Sequence, residues 1–419
     1  MVLEIRISNF FSISNEIILD MRAGTMNNAK SKLLENNIFR YNDIEVLKSV
    51  AIYGANASGK SNIIKAIRFC IAMVYDSHKH NESTVFNFKP FKFKAFSKKP
   101  SSFFIRFVTE GIEYKYSFTL TQTEILAESL YYYPHGREAK IFVRDERAGM
   151  SKKDKYSFGS SVIKRPFDVA ESTSNKTLFV SRASQMDREI PKTIFTFFHS
   201  LFIQRHSNYG ISNIDSLMSI YKEQLLTALQ LADSDIVEIK HKIVKEKGKK
   251  LRANLDTQEA FFEDDEMERL EIRTFHRYDP KVSFDFMREE SDGTKKLFFI
   301  MLTVLDTVRK NKTLLIDELE DSLHPKITDY IIQIFNASDK AQLIFSTHST
   351  HLLDLNKFRK DQIWFANKIE DGSSDLYSLY DYGDFRDTMN LEKAYLQGRF
   401  DSIPIVDSSI QNLRSIIGE

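Results

Sequence analysis

An α/β fold carrying an antiparallel β subdomain and a mostly helical insertion is what three observations predict. Apolar runs of strand length are followed by helical spacing near both ends of the chain. A glycine loop follows one of those runs, and a pair of carboxylates follows another far downstream. Between them lie aromatic-rich alternation and then a polar, helically spaced stretch.

Residues 3–21 alternate as strands do, with Leu3, Ile5 and Ile7, then Ile13, Ile17, Ile18 and Leu19 apolar. The polar Ser14-Asn15-Glu16 predicts a turn between two antiparallel strands. Residues 46–53 form one apolar run ending in the glycine loop, and 62–75 have helical spacing at Ile63, Ile64, Ile67, Ile71 and Val74. Residues 84–145 read as β-rich: 103–108 and 114–120 flank the hairpin signal Glu110-Gly111, and 130–133 and 141–143 add strands. Residues 146–175 read as loop and 185–235 as mostly helical. Within 236–271, Lys240, Lys242, Lys245, Lys247, Lys249, Lys250 and Arg252 precede Glu259, Glu263, Asp264, Asp265, Glu266 and Glu268. Such a contrast fits a solvated, self-neutralising insertion, or a basic contact for nucleic acid or a protein partner. The α/β pattern returns at 282. Residues 297–308 read as helix, 313–316 as buried strand, 325–335 as a helix opened by Pro325, and 343–346 as strand. Residues 363–366 and 376–379 read as edge strands.

Bulk composition narrows the class. The 59 basic and 58 acidic residues leave a net charge of +1, which argues against a chain-wide nucleic-acid or membrane field. A single cysteine, Cys70, permits no internal disulfide and predicts a reducing, cytoplasmic setting. It lies in an apolar stretch and reads as a buried structural thiol. The early charges are wrong for a secretory signal. The longest apolar run, 297–308, is broken by Asp306 and too short to span a bilayer, so no membrane association is expected. No Cys/His spacing suits zinc, and no esterase or dinucleotide signature occurs.

Gly54-Ala55-Asn56-Ala57-Ser58-Gly59-Lys60-Ser61 fits the phosphate-loop pattern G-x-x-x-x-G-K-[ST]. Glycines let the backbone wrap a phosphate so that N–H groups point inward, and the following helix adds its positive end. Lys60 is expected to neutralise β- and γ-phosphate charge and the Ser61 hydroxyl to ligate Mg²⁺, with Asn62 completing the ATP-binding stretch. With 14 glycines in the whole chain, a chance match is rare. Thr313-Leu314-Leu315-Ile316-Asp317-Glu318 is an apolar strand ending in two carboxylates. Asp317 is expected to hold Mg²⁺ through its water shell, and Glu318 to polarise the attacking water as general base. A buried strand with an acidic helix cap would look the same; the upstream loop favours the catalytic assignment.

Glu290-Ser291-Asp292-Gly293-Thr294 precedes a helix and forms a second phosphate-seeking nest. One chain rarely needs two nests on one nucleotide. Two copies packed head to tail would place Ser291, Asp292, Gly293 and Thr294 on the ATP of the other copy. In Ser346-Thr347-His348-Ser349, His348 at a strand end can bond a γ-phosphate and register its loss. Asp321, Ser322, Leu323 and His324 read as a subunit-contact loop.

In this order the motifs resemble the ATP-binding-cassette ATPases of the SMC, RecF and OLD group, whose opening strand pair is similar to residues 3–13. The stretch from Tyr53 through the loop to Asn62, the Glu290 to Thr294 nest, and Tyr395-Leu396-Gln397-Gly398-Arg399-Phe400 followed by Pro404 resemble the stand-alone bacterial AAA family ATPases of phage-defence loci. Those are ATPase subunits paired with a small toprim-like or RloB-like protein, as in the PARIS and AbiL systems. The resemblance implies a P-loop NTPase head of the ABC type in three parts. Residues 1–145 would hold the phosphate loop and β subdomain, 146–270 a mostly helical variable insertion, and 271–419 the nest, acidic strand and His348. It also implies Mg²⁺-dependent ATP hydrolysis, a head-to-tail homodimer around ATP with a higher oligomer left open, and a separate effector encoded nearby. DNA contact stays open, as for a RecF- or SMC-like repair ATPase. Asp292-Gly293-Thr294 stands where transporters carry Gly-Gly-Gln, which points away from transport. The Q-loop glutamine is unassigned, with Gln122 and Gln185 as candidates. The residues after His348 offer no convincing acidic metal cluster of the toprim kind, so any nuclease activity is expected on a partner.

Overall fold

The computed structural model describes the chain except residues 27–32, 161, 204–210, 233, 255–258, 384–388, 404–414 and 418–419, together with the side chains of 94, 202–203, 211–212, 246–254 and 259–267. Pro404 of the C-terminal motif therefore lies outside the described residues. The chain divides into two compact units: Met1–Ile203 with Asn311–Leu319 and Phe335–Glu419, and Gln204–Lys310 with Glu320–Ile334.

The first unit holds two large sheets. One is antiparallel and runs, in spatial order, Tyr156–Phe158, Ala139–Asp145, Ile125–Tyr132, Ile112–Leu120, Ser101–Thr109, Val2–Ser8 and Ile17–Asp20. Its hairpin turns at Glu110-Gly111, both in the left-handed region at φ 49° and 74°, which lets two residues reverse the chain. The other sheet runs Phe202–Ile203, Thr313–Ile316, Gln342–Ser346, Ser49–Tyr53, Ile363–Lys368 and Ser374–Ser378. It is parallel except for its last strand. Every residue of Thr313–Ile316, Gln342–Ser346 and Ser49–Tyr53 is buried, as parallel strands covered on both faces require. Gln342 fastens the N-terminus to this sheet: its amide accepts from Val2 N at 2.7 Å and donates to Val2 O at 2.9 Å and Leu47 O at 3.2 Å.

Three expectations change here. The run 46–53 is two strands, Ile44–Leu47 and Ser49–Tyr53, in different sheets. They part at Lys48, whose buried amine donates to Asn336 O and Ser338 O. Residues 363–366 are not an edge, because Ile363–Lys368 is paired on both sides; Ser374–Ser378 is the edge. The stretch 146–175 contains the short helices Lys152–Lys155 and Pro166–Glu171 and the strand Tyr156–Phe158. Cys70 is buried as expected, and burial pushes its thiol far up from the ordinary range.

The second unit contains the helices Ile211–Leu231 and Asp292–Arg309, linked by a Tyr221 hydroxyl donating to Asp306 at 3.3 Å. Its other large feature adds two long strands to an insertion whose other elements are mainly helices. Ile236–Asn254 and Glu259–His276 form a long antiparallel hairpin, joined at its base by Ser283–Asp285. Dense Lys and Glu favour helix by propensity, but Ile236, Ile239 and Ile272 are buried at the base and commit it to strand pairing. No helix among the described residues is long and apolar enough to cross a membrane.

Candidate active site

Strand order brings the chemistry together. Gln342–Ser346 pairs in parallel with Ser49–Tyr53 on one side and Thr313–Ile316 on the other. Three strand ends therefore open on one edge: Gly54, Asp317-Glu318 and Thr347-His348. Ala55 to Asn62, Glu318 and His348 line a single solvent-open cleft of about 410 Å³, within the range of small-molecule sites.

Lys60 is 5% exposed and opens the helix Lys60–Asp76. Its amine donates to Gly54 O at 2.7 Å and Ala55 O at 3.0 Å, so the loop is curled around this cation. Gly59 caps the helix at φ 109°, and a Cβ there would sit 2.0 Å from Ser374 Oγ. A Cβ on Gly54 would lie 2.4 Å from Ala366 O. Both glycines are thus required by close approach.

The Ser346 hydroxyl donates to Asp317 Oδ1 at 2.6 Å and accepts from Glu318 N at 2.8 Å. It orients both carboxylate residues at once. Glu318 takes φ 55°, a left-handed conformation uncommon for a non-glycine residue and often found at functional sites. The Ser61 hydroxyl lies 3.3 Å from Asp317 Oδ1. One hydroxyl and one carboxylate, both hard oxygen donors, fit Mg²⁺, which keeps its remaining positions for water and phosphate oxygens.

Several supports carry no sequence signal. Asn62 Nδ2 donates to Ser12 Oγ at 2.7 Å, and Ser374 Oγ donates to Ser58 O at 2.7 Å while bonding Ser12 Oγ at 2.8 Å. The N-terminal turn and the sheet-edge strand therefore clamp the loop from outside it. Behind the loop, the Tyr53 ring lies 6.0 Å from Tyr395 and 6.1 Å from Phe365, and Phe365 stacks on Phe400 at 4.6 Å. The C-terminal Tyr395 to Phe400 motif is thus an aromatic buttress for the phosphate-loop strand. Neither Q-loop candidate lines the cleft: Gln122 donates to Phe88 O at 2.9 Å, and Gln185 ends the helix Phe179–Gln185.

The Glu290 to Thr294 stretch lies in the second unit. Ser291 caps the helix Asp292–Arg309, its hydroxyl accepting from Thr294 N at 3.0 Å, while Asp292 is fully exposed. Gly293 passes close to Ser322 O: a Cβ there would lie 3.6 Å away. Ser291, Gly293, Thr294, Ser322, Leu323 and His324 share a second cleft of about 360 Å³ with Asp235, His276 and Glu290. Asp321 pairs instead with Lys296 at 2.9 Å.

A phosphate loop at one parallel-strand tip, with acidic and histidine strand ends beside it, defines a P-loop ATPase of the ABC type. The chain belongs to the family described as "AAA domain, putative AbiEii toxin, Type IV TA system", matched over residues 49–354. It is similar to the Retron Vc95 probable ATPase of Vibrio cholerae serotype O1 biovar El Tor, at 24% identity over 410 residues, covering 85% of this chain and 77% of that protein. Among solved structures it is similar to the SMC head domain from Thermotoga maritima, at 14% identity and a TM-score of 0.41, covering 90% of this chain and 98% of that one. It is also similar to an SmcHead bound to the C-winged helix domain of ScpA, at 16% identity and a TM-score of 0.43, covering 94% and 99%.

Proposed function

We propose that this chain binds and hydrolyses Mg-ATP in a head-to-tail pair, and that it serves as the sensor and switch subunit of an antiphage defence system by controlling a separate, toprim-like effector. The convergence of Lys60, Ser61, Glu318 and His348 on one cleft, with Asp317 hydrogen-bonded to Ser61 beside it, carries the ATPase reading. Backbone N–H groups of the loop and the Lys60 amine hold the β- and γ-phosphates. Ser61 and Asp317 would hold Mg²⁺, which when bound neutralises charge developing on the phosphate oxygens. Glu318 accepts the proton of the attacking water, and Ser346 keeps its backbone aimed into the cleft. His348 bonds the γ-phosphate and registers its loss.

The pairing reading rests on the nest. Ser291, Gly293 and Thr294 line a cleft to which the phosphate loop contributes no residue, so a γ-phosphate from a second copy is the natural occupant. The defence role is supported by the family description and by the similarity to a probable ATPase of a retron. A RecF- or SMC-like DNA role would lean on the basic run 240–252. In the hairpin, positions 242, 245, 247, 249 and 250 stand opposite acidic ones, among them Lys242 opposite Glu271 and Lys245 opposite Glu268, while 240 is opposite Arg273 and 252 opposite Phe261; the mostly compensated run favours the first reading.

Glu318→Gln keeps the shape and removes the base. ATP binding should persist while turnover falls by about 10²- to 10⁴-fold, and the ATP-bound pair should accumulate. Native mass measurement with and without ATP, beside a phosphate-release assay, reads both. Undiminished turnover would show that Glu318 is not the base.

A further inference from the structure

We propose that His276 is a positioning residue for the nest: bridging Asp235 and Glu290, it ties the residue before Ser291 to the base of the long hairpin. This rests on the paired reading above. His276 Nδ1 lies 2.8 Å from Asp235 Oδ1, and Nε2 lies 2.8 Å from Glu290 Oε1. A neutral imidazole has one N–H donor and one acceptor, whereas ionised carboxylates only accept. Bonding both carboxylates therefore takes the imidazolium.

The two carboxylates are not equivalent. The Glu290 side chain is 8% exposed and takes a second hydrogen bond from the Thr274 hydroxyl. A carboxylate so buried must be paired, so its place depends on His276. Asp235 is 65% exposed and immediately precedes the first hairpin strand; its carbonyl accepts from Arg277 N at 2.9 Å. His276 is the last residue of the second hairpin strand, and the edge-to-face ring of Phe284, 4.7 Å away on the third strand, holds the imidazole in place. All three charged residues line the cleft that contains Ser291, Gly293 and Thr294. A partner that moves the hairpin would therefore move Glu290, and with it the cap of the nest helix.

The charged groups at the ring are Asp235, Glu290 and, next in the chain, Arg277. Burial pulls the His276 imidazole down, but its bonds to the two carboxylates outweigh burial and raise it above the ordinary histidine value. A group raised on folding is fully bound below the ordinary value and released as pH climbs through the raised one. The nest is thus set on the acid side and loosened toward alkaline pH.

The test measures ATP-driven pairing in a Glu318→Gln background from about pH 6 to about pH 9, comparing His276 with H276Q and H276R. ATP affinity at the phosphate loop is measured alongside and should be the same in all three. With His276, pairing should weaken toward alkaline pH. H276Q, whose amide nitrogen can stand in for only one of the two ring nitrogens while its oxygen can donate nothing, should pair about tenfold more weakly at neutral pH and lose the alkaline decline. H276R, a permanent forked cation, should keep pairing and also lose the decline. H276Q pairing as His276 does, with the same pH profile, would overturn the proposal, as would H276R pairing no better than H276Q. Failure of the His276 protein to pair with ATP at any pH would instead overturn the paired reading itself. Should H276Q not fold, the ring ¹⁵N spectrum of the unsubstituted protein, with His276 identified through H276R, decides the matter: two protonated ring nitrogens at neutral pH are expected, and one would overturn the proposal.

Discussion

At the scale of single residues, the phosphate loop depends on serines far from it in sequence. Ser374 bonds both Ser12 and the Ser58 carbonyl, and its hydroxyl occupies the space a Cβ on Gly59 would need. Ser374→Ala removes two hydrogen bonds worth about 1 kcal/mol each, less whatever water restores. ATP affinity should fall about 5- to 30-fold by fluorescent-nucleotide titration, with the melting temperature little changed. Unaltered affinity would mean that the loop holds its shape without the clamp. Gly59→Ala should be far more damaging, since it combines a left-handed φ with a direct clash. The loop itself was legible because its residue types are dictated by phosphate chemistry. Ser12, Ser346 and Ser374 were not assigned as supports, because a serine that braces another loop obeys no spacing rule and is found only once the strands are paired.

At the scale of elements, legibility followed the strength of the apolar pattern. The helices Lys60–Asp76 and Asp292–Arg309 and the strands Thr313–Ile316 and Gln342–Ser346 announce themselves by period and by burial. The hairpin of 236–276 did not, because nearly half of it is charged and its pairing is set by a few buried isoleucines at the base. Its register predicts how it responds to charge reversal. Lys242 lies 3.2 Å from Glu271 across the ladder, and the register places position 247 opposite 266, 249 opposite 264 and 250 opposite 263. Changing Lys247, Lys249 and Lys250 to Glu would set like charges opposite one another, at roughly 0.2–1 kcal/mol per pair. Protease sensitivity of the hairpin should rise, while duplex DNA binding at low salt should not change. A marked loss of DNA binding with a flatter salt dependence would instead assign the basic run to phosphate contact.

At the scale of the whole molecule, the account turns on symmetry. Each chain has one phosphate loop and one nest, lining different clefts, and a head-to-tail pair would join them into two composite sites with the γ-phosphate as the link. In the proposed pair, hydrolysis would remove that link and so couple turnover to opening and to whatever effector reads the pair. The most direct measurement mixes two inactive variants. Lys60→Ala spoils the loop of one chain, and Ser291→Arg blocks the nest of the other. In a mixed pair one site carries both lesions and the other is intact. With each variant shown to be folded and able to exchange subunits, phosphate release should be absent from either alone and should return on mixing, up to the fraction of mixed pairs. Verified mixed pairs that hydrolyse no ATP would contradict the account of independently working composite sites.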